Sequence, residues 1–577
     1  MVFLINNLEN KMELTSMADK EILPIYEKMY LSSLSDTFDF NKKYKSKIIF
    51  KTSKIVDLGV HLIKADELIE NIDLAFEAYQ FPWAKKTSFR DFCEFVLPHR
   101  ILNEPMSHWR KFYLKKNEKL IEYLLKNKIN DPTTVCEILN DSLIKKYKFY
   151  DNLEVPYTNL IGLYQNPIGK CVQRYLLYTA LARSIGLPVA IDFTPQYGNY
   201  PGSHSWVTLV QKNKFSFNAG EKWEPSTFGG VKYFRNVYSN SQKNTSEKSP
   251  LSNPNVIDVS KEYVDRNIGN LILELNQPVS KEIYLFAFGL GKEFVCLQKG
   301  QIKESKVIFK NVSYCESILF LGYYDGLDVI PIENPFIMHN WTKNLTFLIP
   351  TKNTVRNIRL YRKYPMNNFV EDIFYNELIG AKIQGSNFKD FRAKKDVFLF
   401  KGYPVNTDKV EFKNNFNFNY YRYLPNTAGQ INLAELQFIF SDDKEKQNLK
   451  NYYQFDSQFK KIKYLCDNSI ETYYTSSSKK NWIGIDRSKS KFKNLKAVKV
   501  IPRNTCNLIE RDNTYELFYF DFGWKSLSSK TAKDSFIDFA SVPNNCLFLL
   551  KNLSQGSQER IFIYEKENET YSKQIFW

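Results

Sequence analysis

Gln165-Asn166-Pro167-Ile168-Gly169-Lys170-Cys171-Val172-Gln173-Arg174-Tyr175-Leu176-Leu177-Tyr178-Thr179-Ala180-Leu181-Ala182-Arg183-Ser184-Ile185-Gly186-Leu187-Pro188 is the stretch on which the fold turns. It describes a glycine-containing loop, a helix starting at or just before Cys171, and a stop at Gly186 with Pro188 beyond it. Cys171 is thereby expected in the first helical turn. Unpaired N–H groups and the positive end of the helix dipole there favour thiolate over thiol, the form a cysteine nucleophile needs.

Downstream, Val189-Ala190-Ile191-Asp192-Phe193-Thr194 predicts a strand, Gly198-Asn199-Tyr200-Pro201-Gly202 a turn-rich loop, and Ser203-His204-Ser205-Trp206-Val207-Thr208-Leu209-Val210 a second strand opened by His204. After Gln211-Lys212-Asn213-Lys214, the run Phe215-Ser216-Phe217-Asn218-Ala219-Gly220-Glu221 is expected to pair back on the His204 strand as a hairpin. Alone, Cys171 reads as an inert buried thiol and His204 as a structural histidine. Their joint placement, in a chain with only five histidines, points instead to a thiol site. Cys93 and His99 lie close in sequence too, but Phe92-Cys93-Glu94-Phe95-Val96-Leu97 reads as apolar packing.

A Gly-x-Cys at a helix start, a following Gly-Leu-Pro-Val, His-Ser-Trp-Val on a strand, and an acid or amide about fifteen residues later together resemble the transglutaminase-like superfamily over residues 155–235. The resemblance implies a papain-like core with Cys171 as nucleophile, His204 as general base and later acid, and Asn218 as the orienting residue. The family more often has aspartate at the third place. An amide oxygen holds the imidazole tautomer but gives imidazolium no full negative charge. Counting the hairpin about a Lys212-Asn213 turn places Glu221 opposite His204 and makes it the reserve third member. By analogy with papain-like enzymes, Gln165 helps the Cys171 N–H stabilise an oxyanion. This chemistry requires no metal and no organic cofactor.

From residue 267 onward the pattern changes to short strands such as Asn270-Leu271-Ile272-Leu273-Glu274-Leu275, Ile283-Tyr284-Leu285-Phe286-Ala287-Phe288 and Ser317-Ile318-Leu319-Phe320-Leu321-Gly322-Tyr323-Tyr324. Punctuation by Gly, Asn and Asp favours stacked antiparallel sandwiches. Asp467-Asn468-Ser469-Ile470-Glu471-Thr472-Tyr473-Tyr474-Thr475-Ser476, then Asn481-Trp482-Ile483-Gly484-Ile485-Asp486 and Leu495-Lys496-Ala497-Val498-Lys499-Val500-Ile501-Pro502-Arg503, resemble a discoidin-like (galactose-binding-like) module over 446–577. Tyr420-Tyr421-Arg422-Tyr423-Leu424-Pro425 and Ile431-Asn432-Leu433-Ala434-Glu435-Leu436-Gln437-Phe438 resemble the closing strands of another. That fold often binds glycans through loops at one end, which makes Trp482, Arg503, Asn504 and Asn507 glycan-binding candidates. Trp482 reads first as core, and the other three first as turn chemistry.

The fold class expected is therefore multidomain α+β: an N-terminal helical region, a papain-like transglutaminase core, then all-β sandwich modules. The expected divisions are a mainly helical 1–150, the core at 151–239, a linker or loop at 240–266, a β-sandwich at 267–350, and discoidin-like sandwiches at 366–445 and 446–577. Within the helical region, Leu68, Ile69, Ile72, Phe76 and Tyr79 form an expected inward face, and further helices are expected over 116–126 and after Pro132.

At 577 residues the chain exceeds one hydrophobic core, and 43% hydrophobic and 16% aromatic residues fill several. The net charge of +17 comes from lysines scattered through every region without a zinc-finger or RNA-reading motif, so a solvated surface is favoured over a specific nucleic-acid site. Eight cysteines without CxxC spacing indicate neither a disulfide framework nor zinc. No stretch of about 18 apolar residues is present to span a membrane, and no export signal is visible, although the resemblance implies an exported or cell-envelope bacterial protein.

The function expected is hydrolysis of an amide in a protein, peptide or glycopeptide through a Cys171 thioester, with a possible glycan ligand for the β modules. Transamidation by a protein-glutamine transglutaminase, and a non-catalytic glycan- or protein-binding scaffold with a degenerate thiol site, are the alternatives.

Overall fold

The computed structural model describes residues 1–7, 12–15, 51–54, 65–144, 146–149, 159–198, 202–210, 215–217, 229–240, 255–264, 267–275, 280–289, 294–340, 342–364, 376–401, 409–426, 431–441, 452–454, 459–470, 472–476, 481–504, 507–554, 559–566 and 572–575. The protein is multidomain α+β and divides into two compact units, one of Met1–Gly289 with Phe294–Thr346, the other of Leu290–Glu293 with Phe347–Trp577.

In the first unit, helices α1 (Ala65–Tyr79), α2 (Trp109–Lys116) and α3 (Pro132–Ile144) pack around α4 (Cys171–Ser184). From Tyr175 to Ser184 every residue of α4 is buried, so this helix has no solvent face and forms the axis of the core. It ends as its sequence predicts: Leu187 N–H reaches Ala182 O and Gly186 N–H reaches Arg183 O, with Gly186 at φ 82°. This is the Schellman arrangement that glycine permits. The buried face of α1 is Leu68, Asn71, Ala75 and Ala78, whereas Ile69 and Phe76 of the expected face are exposed. The cause is tertiary: Asn71 accepts from the buried Arg110 guanidinium and donates to Leu97 O, which rotates the helix toward that network.

Against α4 lies a five-stranded antiparallel sheet of β1 (Val189–Thr194), β2 (His204–Leu209), β3 (Phe215–Phe217), β4 (Phe234–Asn236) and β5 (Val256–Asp258), in the order β3-β2-β1-β4-β5. The stretch expected as a linker over 240–266 thus supplies β5 and a short helix, α5 (Ser260–Tyr263), to this core. Val256 and Val259 in it are both buried. The unit also contains a three-stranded sheet with Ile268–Glu274 and Lys306–Ser313, and a six-stranded one with Tyr284–Phe288 and Ser317–Asp325. Lys232, with no exposed surface, ties the core to them: its ammonium meets Asp258 and the carbonyls of Lys310 and Asn311.

In the second unit, Lys382–Ser386, Tyr420–Leu424 and Ile483–Asp486 belong to one sheet and Lys409–Asn417, Ile431–Phe440 and Asn494–Pro502 to another. Both sheets bury side chains, such as Tyr423 and Ile483 from one and Phe438 and Val500 from the other, in a single core. Strands on either side of residue 445 pair directly, so the division expected at 445/446 runs through one two-sheet body. A second body closes Thr351–Leu360 and Ile537–Asn544 over a five-stranded sheet containing Thr514–Phe520 and Phe548–Asn552. Chain segments before 365 and after 507 therefore share a core that reading in sequence order splits. Among the described residues no helix is long and apolar enough to cross a membrane.

Candidate functional site

The helix α4 begins at Cys171. Its approach is fixed at three points. Ile168–Gly169 pairs in parallel with Lys148–Phe149, Lys170 N–H donates to Gln173 Oε1 at 3.1 Å, and Tyr147 OH donates to Lys170 O at 3.0 Å. Gly169 has φ 147°, and a Cβ there would lie 3.0 Å from both Gln173 Cβ and Tyr147 OH, so the bend into Cys171 needs glycine. Gln165 ends the preceding helix Leu160–Gln165 with its side chain exposed; the glutamine that serves the Cys171 turn is Gln173.

His204 opens β2 and pairs with Thr194 of β1. Three aromatic rings surround its imidazole: Tyr175 edge-on at 6.2 Å between centroids, Trp206 stacked at 5.9 Å and Tyr197 stacked at 6.3 Å. Tyr175 lies one turn beyond Cys171 on the same helical face, so the face bearing the thiol is the one turned to the histidine. Cys171 is half-buried and packs against the core that contains Tyr175 and Trp206. Burial among these rings pulls His204 down to about 4, leaving the imidazole neutral, and able to accept a proton, at neutral pH.

Asn218 and Glu221 lie outside the described residues. The hairpin that leads toward them differs from the expected one: a turn centred on Lys212-Asn213 would pair Val207 with Asn218, whereas Val207 pairs with Phe217. Counting Glu221 opposite His204 rested on the former register.

The sheet supplies a polar network that the sequence reading did not identify. Trp206 Nε1 donates to Tyr263 OH at 2.8 Å, and Tyr263 OH donates to Asp192 Oδ2. Arg235 closes on both Asp192 oxygens at 2.9 and 2.8 Å and also reaches Glu262. Burial opposes the Arg235 charge, but the Asp192 carboxylate and Glu262 hold its guanidinium protonated, well above the usual arginine range. With Thr208 also donating to it, Asp192 is fully engaged. The network anchors the indole that stacks on His204. A charged Asp192 inside the apolar run Val189-Ala190-Ile191-Asp192-Phe193 was its one visible trace, since a buried carboxylate needs a partner.

The glycan-binding candidates fall into separate surroundings. Trp482 meets Phe391 at 5.5 Å, with the Arg422 guanidinium over both rings. The Arg503 guanidinium lies 3.9 Å over the Tyr473 ring, and the Arg503 backbone N–H donates to Asn432 O. Asn504 closes a turn on Pro502 O. Asn507 is fully buried and donates to Tyr364 O, which corrects its place among the ligand-binding candidates: it joins two segments of the second unit.

Among the described residues no group of three or more His, Cys, Asp or Glu side chains is placed to hold a metal ion. Chemically, a cysteine thiol with a neutral imidazole in reach can undergo acylation, the imidazole accepting its proton. No protein-family model matches the sequence, and no curated protein matches it.

Proposed function

We propose that the chain is a cysteine-dependent acyl-transfer enzyme of the transglutaminase-like kind, hydrolysing an amide in a protein, peptide or glycopeptide. In this reading a helical N-terminal region and a papain-like core carry the chemistry, and discoidin-like sandwiches bring the substrate or bind glycan. The observation that carries it is the turn of α4 in which Cys171 starts the helix and Tyr175, one turn on, meets His204. Cys171 Sγ adds to the amide carbonyl, His204 takes the thiol proton and gives it to the departing amine, and water then releases the acyl group. Transamidation differs only in the acceptor of the thioester. A primary amine incorporated into protein marks it, and release of amine without incorporation marks hydrolysis.

A specific observation favours the scaffold reading as the second one. An imidazole held neutral by burial lends no positive charge to a thiolate, and the third position offers an amide, Asn218, in place of a carboxylate. Labelling with a thiol-directed acyl probe decides between them. The native protein is expected to be modified at Cys171 and to lose that modification in His204→Gln. Modification of Cys171 only after denaturation would sink the enzymatic reading.

A further inference from the structure

We propose that Thr346, His339 and Glu316 form a second acyl-transfer site, independent of Cys171, in which the Thr346 hydroxyl attacks activated carboxylic esters. The three residues come together through the six-stranded sheet of the first unit. Ser317 pairs with Met338, so the preceding Glu316 comes beside the following His339. The chain then turns, closed by His339 N–H on Asn344 O at 3.0 Å, and returns through Thr346.

The hydrogen bonds constrain where the protons sit. His339 Nδ1 lies 2.8 Å from Glu316 Oε1, and Asn340 N–H donates to Glu316 Oε2 at 3.0 Å. A carboxylate only accepts, so Nδ1 carries the ring proton and Nε2 of the neutral ring is an acceptor. In that neutral form Nε2, 2.9 Å from Thr346 Oγ1, takes the hydroxyl proton. The hydroxyl thus points its proton at a base whose far side is held by a carboxylate, the geometric relation that defines a nucleophile–base–acid triad whatever the fold. Thr346 is exposed, so its oxygen is open to a carbonyl from solvent.

In the acylation step Oγ1 of Thr346 bonds to the ester carbonyl carbon while its proton passes to His339 Nε2. The carbon–oxygen bond to the leaving group then breaks, and the leaving oxygen takes that proton, giving O-acyl-Thr346 and a free alcohol or phenol. Water repeats the sequence through His339 and releases the carboxylic acid. Glu316 stabilises the imidazolium formed between the two transfers. General-base assistance of this kind is worth about 10²–10⁴-fold.

The test uses the full chain carrying Cys171→Ala, which silences the first site, with p-nitrophenyl acetate as probe and peptide mass mapping as readout. Thr342, exposed in the same turn, is the internal control. Thr346 is expected to be acetylated about 100-fold faster than Thr342. His339→Gln should abolish that difference, Glu316→Gln should reduce it about tenfold, and Thr346→Ser should retain it at position 346. Acetylation of Thr346 no faster than of Thr342, or equally fast in His339→Gln, overturns the proposal. Should His339→Gln fail to fold, an undiminished rate in Glu316→Gln overturns it equally.

Discussion

The Tyr175 ring meets His204 edge-on, at an interplanar angle of 89°. Together with Trp206 and Tyr197 it replaces water around the imidazole, and this enclosure disfavours the imidazolium. The same enclosure couples the site to stability.

His204 is pulled to about 4 in the folded chain, against about 6.5 for a solvated histidine. Between those values the unfolded chain binds a proton that the folded one does not. The stability associated with the neutral ring is complete above about pH 6.5 and is lost as pH falls toward 4, by about 3 kcal/mol at most. Urea unfolding of the parent and of His204→Gln at pH 7.5 and pH 4.5 measures it. The parent should lose more stability than the variant between the two pH values; equal losses would show that the imidazole is not shielded.

Gly169→Ala should cost about 1–3 kcal/mol and slow acyl-probe labelling of Cys171, because its φ of 147° and the Gln173 and Tyr147 atoms 3.0 Å from a Cβ force the helix start to move. Gly326→Ala is the control. Gly326 also has a positive φ, of 65°, but a Cβ there meets nothing within 4 Å, so about 1 kcal/mol of strain with unchanged labelling is expected. Thermal melts paired with labelling rates separate the two outcomes.

Arg235→Leu leaves the fully buried Asp192 carboxylate with its main charge partner removed and should destabilise the first unit by about 3–5 kcal/mol. Glu262→Gln should cost under about 1 kcal/mol, since that carboxylate is 37% exposed and its amide still accepts a hydrogen bond. Adding Asp192→Asn to Arg235→Leu should recover part of the loss, because the stranded charge is gone. A double variant as unstable as the sum of the two single ones would count against charge pairing as the source of the effect.

What the sequence made legible was punctuation. Cys171 starting a helix, Gly186 ending it and His204 opening a strand are each decided by neighbouring residues, through capping, left-handed backbone and strand alternation. Relations across the chain were not legible. The pairing of Val207 with Phe217 depends on where the hairpin turns, and a slip of one residue changes which side chains share a face. Tyr263 and Arg235 carry no motif, and their role exists only because β1, β4 and α5 bring them to Asp192. Likewise, Thr346 and Glu316 are thirty residues apart and meet only through the histidine between their strands.

Lys232 is the last such relation, and it tests whether the core and the neighbouring sheets of the first unit fold as one body. Burial lowers its pKa despite Asp258, so the ammonium stays only because the carboxylate and two carbonyls, of Lys310 and Asn311, surround it. Lys232→Met keeps the apolar stem and removes the charge, taking the ammonium from Asp258 Oδ2 and the two carbonyls. The expected cost is about 3 kcal/mol, the scale of losing hydrogen bonds to a charged group. Because Ser313 N–H donates to Val231 O next door, its amide should exchange with solvent faster in the variant, while the Val210 amide, bonded to Pro188 O within the core, should exchange less changed. Equal acceleration at both amides would mean that Lys232 supports global stability and not the junction; no acceleration at Ser313 would remove its role altogether.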